Sequence, residues 1–214
     1  MTFKNKQNFI SFEGLDFSGK TTQIELLVDR LRQLQIEPLV VREPGGTEIS
    51  EKIREILLDR THHQMHPRSE ILLYSAARAQ LVHQIILPAL DRGERVIADR
   101  FFDSTSAYQG AGRGVEADFV RRLNRFATSG LTPYRTFFID ISPQEAERRR
   151  RRNSLAADRM ESGGPEFYRK IRKGFLQMAG EESRRFIIID GEQSPEKIAR
   201  EIWRHVSTIW KLKG

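Results

Sequence analysis

There is no cysteine among the 214 residues. That excludes disulfides, thiolate nucleophiles and cysteine-held zinc, and it fits a reducing compartment. Long apolar runs are also missing: none approaches the roughly 20 residues needed to cross a bilayer. The start, Met1-Thr2-Phe3-Lys4-Asn5-Lys6, has no apolar core of the signal-peptide kind. A soluble, cytoplasmic protein with no membrane partner is expected. Internal repeats and proline- or serine-rich linkers are absent, so the expectation is one domain over residues 1–214, long enough to bury a substantial core. The one compositional break is residues 148–164, rich in Arg, Ser and Gly and poor in apolar side chains, which reads as a mobile segment. Acidic residues number 29 against 36 Lys and Arg. The net charge of +7 favours anionic partners without choosing among nucleic acid, a membrane surface and nucleotides.

What is present begins with Gly14-Leu15-Asp16-Phe17-Ser18-Gly19-Lys20-Thr21, a G-x-x-x-x-G-K-T stretch. It follows the apolar run Phe9-Ile10-Ser11-Phe12 and leads into Ile24, Leu27, Val28 and Leu31 at helical spacing. A strand, a loop and a helix N-terminus in that order make a phosphate cradle. Gly14 and Gly19 permit backbone angles that let successive N–H groups and the helix dipole point at phosphates. Lys20 would reach the β and γ phosphates, and the Thr21 hydroxyl would ligate Mg2+. An ordinary Gly-containing turn is the alternative, and the flanking strand and helix argue against it.

Five β-rich runs alternate with helical patterns: residues 9–13, 39–43, 96–99, 136–141 and 186–190. Such alternation predicts an α/β fold with a five-stranded parallel sheet flanked by helices. Leu39-Val40-Val41 and Phe186-Ile187-Ile188-Ile189 are continuously apolar, as expected of strands covered on both faces. Open α/β sheets bind ligands beyond the carboxyl ends of their strands, which nominates Asp16, Arg42, Glu43, Asp99, Arg100 and Asp190. Helices are expected over residues 47–58 and 69–90, and a last one after the N-cap Ser194 and Pro195.

Several short groups carry both a structural and a chemical reading. Glu43-Pro44-Gly45-Gly46-Thr47 suits a tight strand-to-helix turn capped by Thr47, or a ligand-facing loop. Tyr74 and Arg78, four apart, share a helix face: an aromatic for a base and a guanidinium for a phosphate, or a half-buried ring and a solvated charge. Asp99, ending a strand before Arg100, suits a Mg2+ ligand or a buried Asp–Arg pair. Residues 104–110, Ser-Thr-Ser-Ala-Tyr-Gln-Gly, offer hydroxyls, an amide and a phenol to a base or sugar, or form a plain helix start. Residues 148–152 are five arginines that point all round a helix, which suits solvation or nonspecific phosphate binding. In a closing segment they would instead neutralise charge developing in phosphoryl transfer, worth about 10³ to 10⁵ in rate. The P-loop has Phe17, not a cation, between Asp16 and Ser18.

Taken in order, FEGLDFSGKTTQ, REPGGT, LLYSAARAQ, DRFFDSTSAYQG, Asp158-Arg159-Met160-Glu161 and Phe186-Ile187-Ile188-Ile189-Asp190 resemble the thymidylate kinase family, P-loop enzymes that make dTDP from dTMP and ATP. The resemblance implies a three-layer P-loop NTPase fold with a short lid over residues 148–164. It places ATP on Gly14, Leu15, Asp16, Phe17, Ser18, Gly19, Lys20 and Thr21, with Mg2+ at Thr21 and Asp99. Asp16 would contact the acceptor 3′-OH, and Glu43 and Pro44 would line its pocket. Tyr74 would stack on thymine, Arg78, Thr105 and Gln109 would read the base and its surroundings, and Arg100 would meet the acceptor phosphate. Tyr108 would disfavour a ribose hydroxyl. Catalytic work would rest on Lys20, Asp16, Arg100 and a lid arginine, Arg151 or Arg152, as in the largely bacterial lid-arginine pattern. Thr105 stands where an amide is common. A homodimer with the Tyr74 helix near its interface is implied, and no nucleic-acid partner. Another nucleoside monophosphate or deoxynucleoside kinase, and a nonenzymatic nucleic-acid binder, are the rival readings.

Overall fold

Strand β1 (Phe9–Glu13) is buried along its whole length and lies at the centre of the sheet. In the computed structural model, which describes residues 3–152 and 164–212, it is joined by β2 (Leu39–Arg42), β3 (Val96–Asp99), β4 (Arg135–Asp140) and β5 (Phe186–Asp190). All neighbours are parallel, in the order β2-β3-β1-β4-β5. The helices are α1 (Lys20–Gln33), α2 (Glu48–Leu58), α3 (Pro67–Leu81), α4 (Leu87–Asp91), α5 (Phe102–Thr105), α6 (Ala117–Ala127), α7 (Pro143–Arg152), α8 (Gly164–Glu181) and α9 (Pro195–Ile209). Among the described residues no helix is long and apolar enough to cross a membrane.

Alternation along the strands sorts side chains into two faces. Ile10, Phe12, Phe137, Ile139 and Ile189 pack against α1 and α9 through Ile24, Leu27, Leu31, Ile198, Ile202 and Val206. Phe12 and Phe137 stack with ring centroids 5.2 Å apart. On the opposite face, Phe9, Val96 and Ala98 meet α3 and α4, while Phe138 and Phe186 meet α8. Burying each such phenylalanine stabilises the fold by about 1.5–3 kcal/mol.

Two expectations are corrected. The continuously apolar runs at residues 39–41 and 186–189 are the sheet's edges, with Val40 43% and Ile188 50% exposed. The strands covered on both faces are the central ones. The helix expected over residues 69–90 starts earlier, at Pro67, and changes winding over Val82–Ile86, a π-helical stretch ahead of α4. Pro88 explains the change: it has no N–H to donate and its ring crowds the preceding turn, which a wider turn relieves. Thr47 caps α2 by accepting from Ser50 N at 3.1 Å, and Ser194 caps α9, both as expected.

The face of β1 that carries Phe9 also carries Ser11 and Glu13, so polar groups enter the core. Ser11 Oγ and Thr136 Oγ1 are 2.9 Å apart, and Asp103 pairs with Arg185 through contacts of 2.6 and 2.8 Å. Glu13 is fully buried, accepting from Phe101 N–H at 2.8 Å and from the Ser104 hydroxyl at 2.5 Å. Burial, with the neighbouring Asp103 carboxylate, pushes its carboxyl up from 4.5 to about 8. Between those values the folded chain holds a proton that the unfolded chain has lost, so this group's stabilising contribution is full below about pH 4.5 and is lost as the pH rises through 8. Glu13→Gln should abolish that slope: in urea unfolding, wild type should lose stability relative to the variant from pH 5 to pH 8. Parallel pH profiles would contradict the assignment.

Candidate active site

Register creates the site. Phe12 of β1 pairs with Asp99 of β3, so the loop after β1 and the turn after β3 lie side by side at the carboxyl edge. Gly14 has φ +146°, and a Cβ there would stand 2.5 Å from Ile139 O, so only glycine lets the loop leave the sheet at this point. Lys20, at the start of α1, folds back over the loop, with Nζ donating to Leu15 O at 2.8 Å and lying 3.3 Å from Gly14 O. Burial and the nearby Arg100 charge lower its ammonium to about 8. Thr21 Oγ1 donates to Asp99 Oδ2 at 3.1 Å. Two oxygens of the kind that hard cations prefer therefore converge beside the cradle. A cavity of about 630 Å³ opens here, lined by residues 17–23 together with Arg149, Arg152, Gly191 and Gln193.

A second cavity, about 230 Å³, lies on the other side of the loop. Its walls bring together Asp16, Glu43, Pro44, Tyr74, Arg78, Arg100, Thr105, Tyr108 and Gln109, every residue the sequence assigns to the acceptor. The loop that carries Glu43 is not adjacent to the phosphate cradle within the sheet, because β3 lies between β2 and β1. The peptide joining Glu43 to Pro44 is cis. Arg78 is not a solvated charge: it is 2% exposed, with Nε 2.7 Å from Glu43 Oε2 and Nη1 3.3 Å from Asn124 Oδ1. Burial pushes the Glu43 carboxyl above its usual range, and Arg78 pulls it back part of the way.

The other polar walls are held nearly as firmly. Arg100 does not pair with Asp99. Its guanidinium is bound to Asp16 Oδ1 and donates to Gly14 O at 2.9 Å and Ser104 Oγ at 3.2 Å. Tyr108, within a π-helical stretch Ser106–Gly112, donates to Asp16 Oδ2 at 3.1 Å. Its burial pushes the phenol well above its usual value, which keeps it a donor. Gln109 Nε2 donates to the buried Glu70 at 3.0 Å. Two polar atoms are exceptions. Glu43 Oε1 and Thr105 Oγ1 are buried in this cavity wall with no hydrogen-bond partner among the described residues. Buried polar atoms are rarely left unpaired, and here a ligand would complete them.

Four features escaped the sequence reading. Arg54 and Leu58, one turn apart on α2, also line the smaller cavity, and Arg54 donates to Pro44 O at 2.9 Å. Their i,i+4 spacing was the available signal. Tyr168 on α8 donates to Asp16 Oδ2 at 3.2 Å, a contact with no local sequence signal. Arg149 reaches the P-loop, donating to Phe17 O at 3.3 Å, Ser18 O at 3.2 Å and Gly191 O at 2.7 Å. The arginine run is ordered by its own helix: Arg148 and Arg149 bind Glu145, and Arg150 and Arg151 bind Glu147. Those guanidiniums hold both carboxyls at about 2. Arg152 lines the larger cavity, whereas Arg151 is 75% exposed and lines neither. The rest of the expected lid, residues 153–163 with Asp158-Arg159-Met160-Glu161, lies outside the described residues. Arg42 and Asp190 serve turns: Arg42 binds Glu51, and Asp190 accepts from Glu192 N.

A family profile described as Thymidylate kinase matches residues 12–202. A thymidylate kinase of Caldanaerobacter subterraneus subsp. tengcongensis is 50% identical over 206 residues, covering 96% of this chain and 97% of the relative. Proteins with the same description from Kosmotoga olearia and Chlorobaculum tepidum are 44% and 46% identical, covering 96% and 94% of this chain and 98% and 97% of their own lengths. Similarity of this degree, extending over the strands, the cradle and both cavities, means that the chain belongs to the thymidylate kinase family.

Proposed function

We propose that this chain transfers the γ-phosphate of ATP to dTMP, with ATP in the cavity at residues 17–23 and dTMP in the cavity lined by Tyr74 and Gln109. One observation carries the reading: consecutive residues face the two cavities, Asp16 the acceptor side and Phe17 the donor side. Two nucleotides bound there meet across the P-loop, phosphate toward phosphate. An acceptor phosphate oxygen then forms a bond to the γ-phosphorus as the bond to the β–γ bridging oxygen breaks, releasing ADP. The attacking oxygen is already anionic, so alignment and charge neutralisation carry the rate and no strong base is needed.

In this reading Lys20 leaves its carbonyl partners for the β and γ phosphates, and Arg100 takes the acceptor phosphate beside Asp16. Tyr74 stacks on thymine, Arg78, Thr105 and Gln109 border the base, and Tyr108 crowds C2′. Thr21 and Asp99 would hold Mg2+, which would supply neutralisation of phosphate charge. The exposed Leu72 on α3 and Phe119 and Phe126 on α6 support a homodimer through these helices, and a monomer mass in sedimentation would remove that part. A cytoplasmic location is part of the same proposal.

Purified protein with ATP, Mg2+ and dTMP should release ADP, and Lys20→Ala should lower kcat by about 10² to 10³. Thr21→Ala should raise the Mg2+ concentration needed for half-maximal rate. In the same assay dGMP, dCMP and thymidine should be poor acceptors, with dUMP about 10- to 200-fold below dTMP if its missing methyl is sensed. Comparable turnover of a purine monophosphate would overturn the base assignment.

The lid arginines give a separate test. Replacing Arg151 and Arg152 together by Ala should lower kcat by about 10³ or more with the KM for dTMP little changed. Unchanged turnover would show that transition-state charge is met elsewhere, with Arg149 the next cation at the P-loop.

A further inference from the structure

The turn between β3 and α5 carries Asp99, Arg100 and Phe101, and Arg100 sits at φ +68°, a left-handed conformation strained for a residue with a Cβ. Such a conformation persists only where its surroundings hold it. Arg100 N–H donates to Phe12 O at 3.0 Å, which ties the turn to β1. The next residue of β1 does more. Glu13 Oε1 accepts from Phe101 N–H at 2.8 Å, and Oε2 is 2.5 Å from Ser104 Oγ, which itself accepts from Arg100 Nη1 at 3.2 Å. One carboxyl thus holds the backbone directly after Arg100, and through Ser104 it holds the guanidinium. Arg100 and Ser104 line the acceptor cavity; Glu13 lies behind them, fully buried, and does not.

We propose that Glu13 is a positioning residue of the transfer reaction: its buried carboxyl sets the turn 99–104 and so aims the Arg100 guanidinium at the acceptor phosphate. The proposal rests on the reading of Arg100 given above. A carboxyl suits the task because it offers two polar atoms at fixed separation to an N–H and a hydroxyl on the same turn. The charged groups around it are Asp103, which disfavours its ionisation, and Arg100, which favours it. With burial added, the group holds its proton up to about pH 8. A glutamine presents a carbonyl and an amide N–H in the same places, whereas alanine presents neither.

The test is steady-state kinetics of Glu13→Ala and Glu13→Gln, each alone and combined with Arg100→Ala. Glu13→Ala should raise the KM for dTMP about tenfold while the KM for ATP stays within about twofold. Glu13→Gln should recover most of that loss. In the Arg100→Ala background, Glu13→Ala should add less than about twofold, because the residue acts through the group already removed. Equal rises in both KM values, equal penalties in the two backgrounds, or a glutamine variant as impaired as the alanine one would each overturn the proposal. If Arg100→Ala alone leaves the dTMP KM unchanged, the reading of Arg100 falls and this proposal with it. If Arg100→Ala is impaired and Glu13→Ala is not, only the positioning role falls. Should Glu13→Ala not fold, Ser104→Ala breaks the same link, and its rise in dTMP KM must likewise vanish in the Arg100→Ala background.

Discussion

The parallel pairing of β1 with β3, Phe12 opposite Asp99, is the constraint on which the site depends. It brings a loop built to hold phosphate beside a turn that carries a carboxylate and a guanidinium. Contacts tie the two together: Thr21 donates to Asp99, and Arg100 is held by Asp16 and Gly14 O at the loop. Because β1 is buried on both faces, a slip of one residue would carry Phe12 and Ile10 away from α1 and α9 and put the polar Ser11 and Glu13 in their place, so the register is held.

A second theme is that four cations of the site are already paired. Arg78 binds Glu43, Arg100 binds Asp16, Arg149 binds Glu145, and Lys20 rests on carbonyls. Free buried charges would be costly, and pairing offsets that cost. The arginine run follows the same rule. Arginines that the sequence suggests as a nonspecific phosphate surface are mostly tied, along their own helix, to Glu145 and Glu147.

Contiguous features were legible in the sequence. The P-loop lies in eight successive residues, the caps Thr47 and Ser194 act within a single turn, and the strand positions follow from short apolar runs. Features that depend on strand order were not. Periodicity does not say which strand lies at the edge, so residues 39–41 and 186–189 read as buried on both faces although one face of each meets solvent. The acceptor residues were chosen by the ordered resemblance rather than by spacing, and Arg78 shows why. Whether it is solvated or paired is decided by Glu43, 35 residues away in the chain. Tyr168 and Glu13 went unread because their partners are set by packing. Gly174 lets α8 approach the π-helical stretch so closely that a Cβ there would stand 2.8 Å from Ala111 Cβ, and Tyr168 of the same helix donates to Asp16. No local pattern encodes such a contact.

The proposed transfer needs two nucleotides lying end to end along one sheet edge, with the boundary between Asp16 and Phe17. A crystal structure with adenosine and thymidine joined by an oligophosphate tests it most directly. Phosphates are expected on the amides of residues 14–20, the thymidine-side phosphate on Arg100 and thymine against Tyr74 beside Gln109. Thymine lodged outside that cavity, or phosphates clear of Lys20 and Arg100, would contradict it.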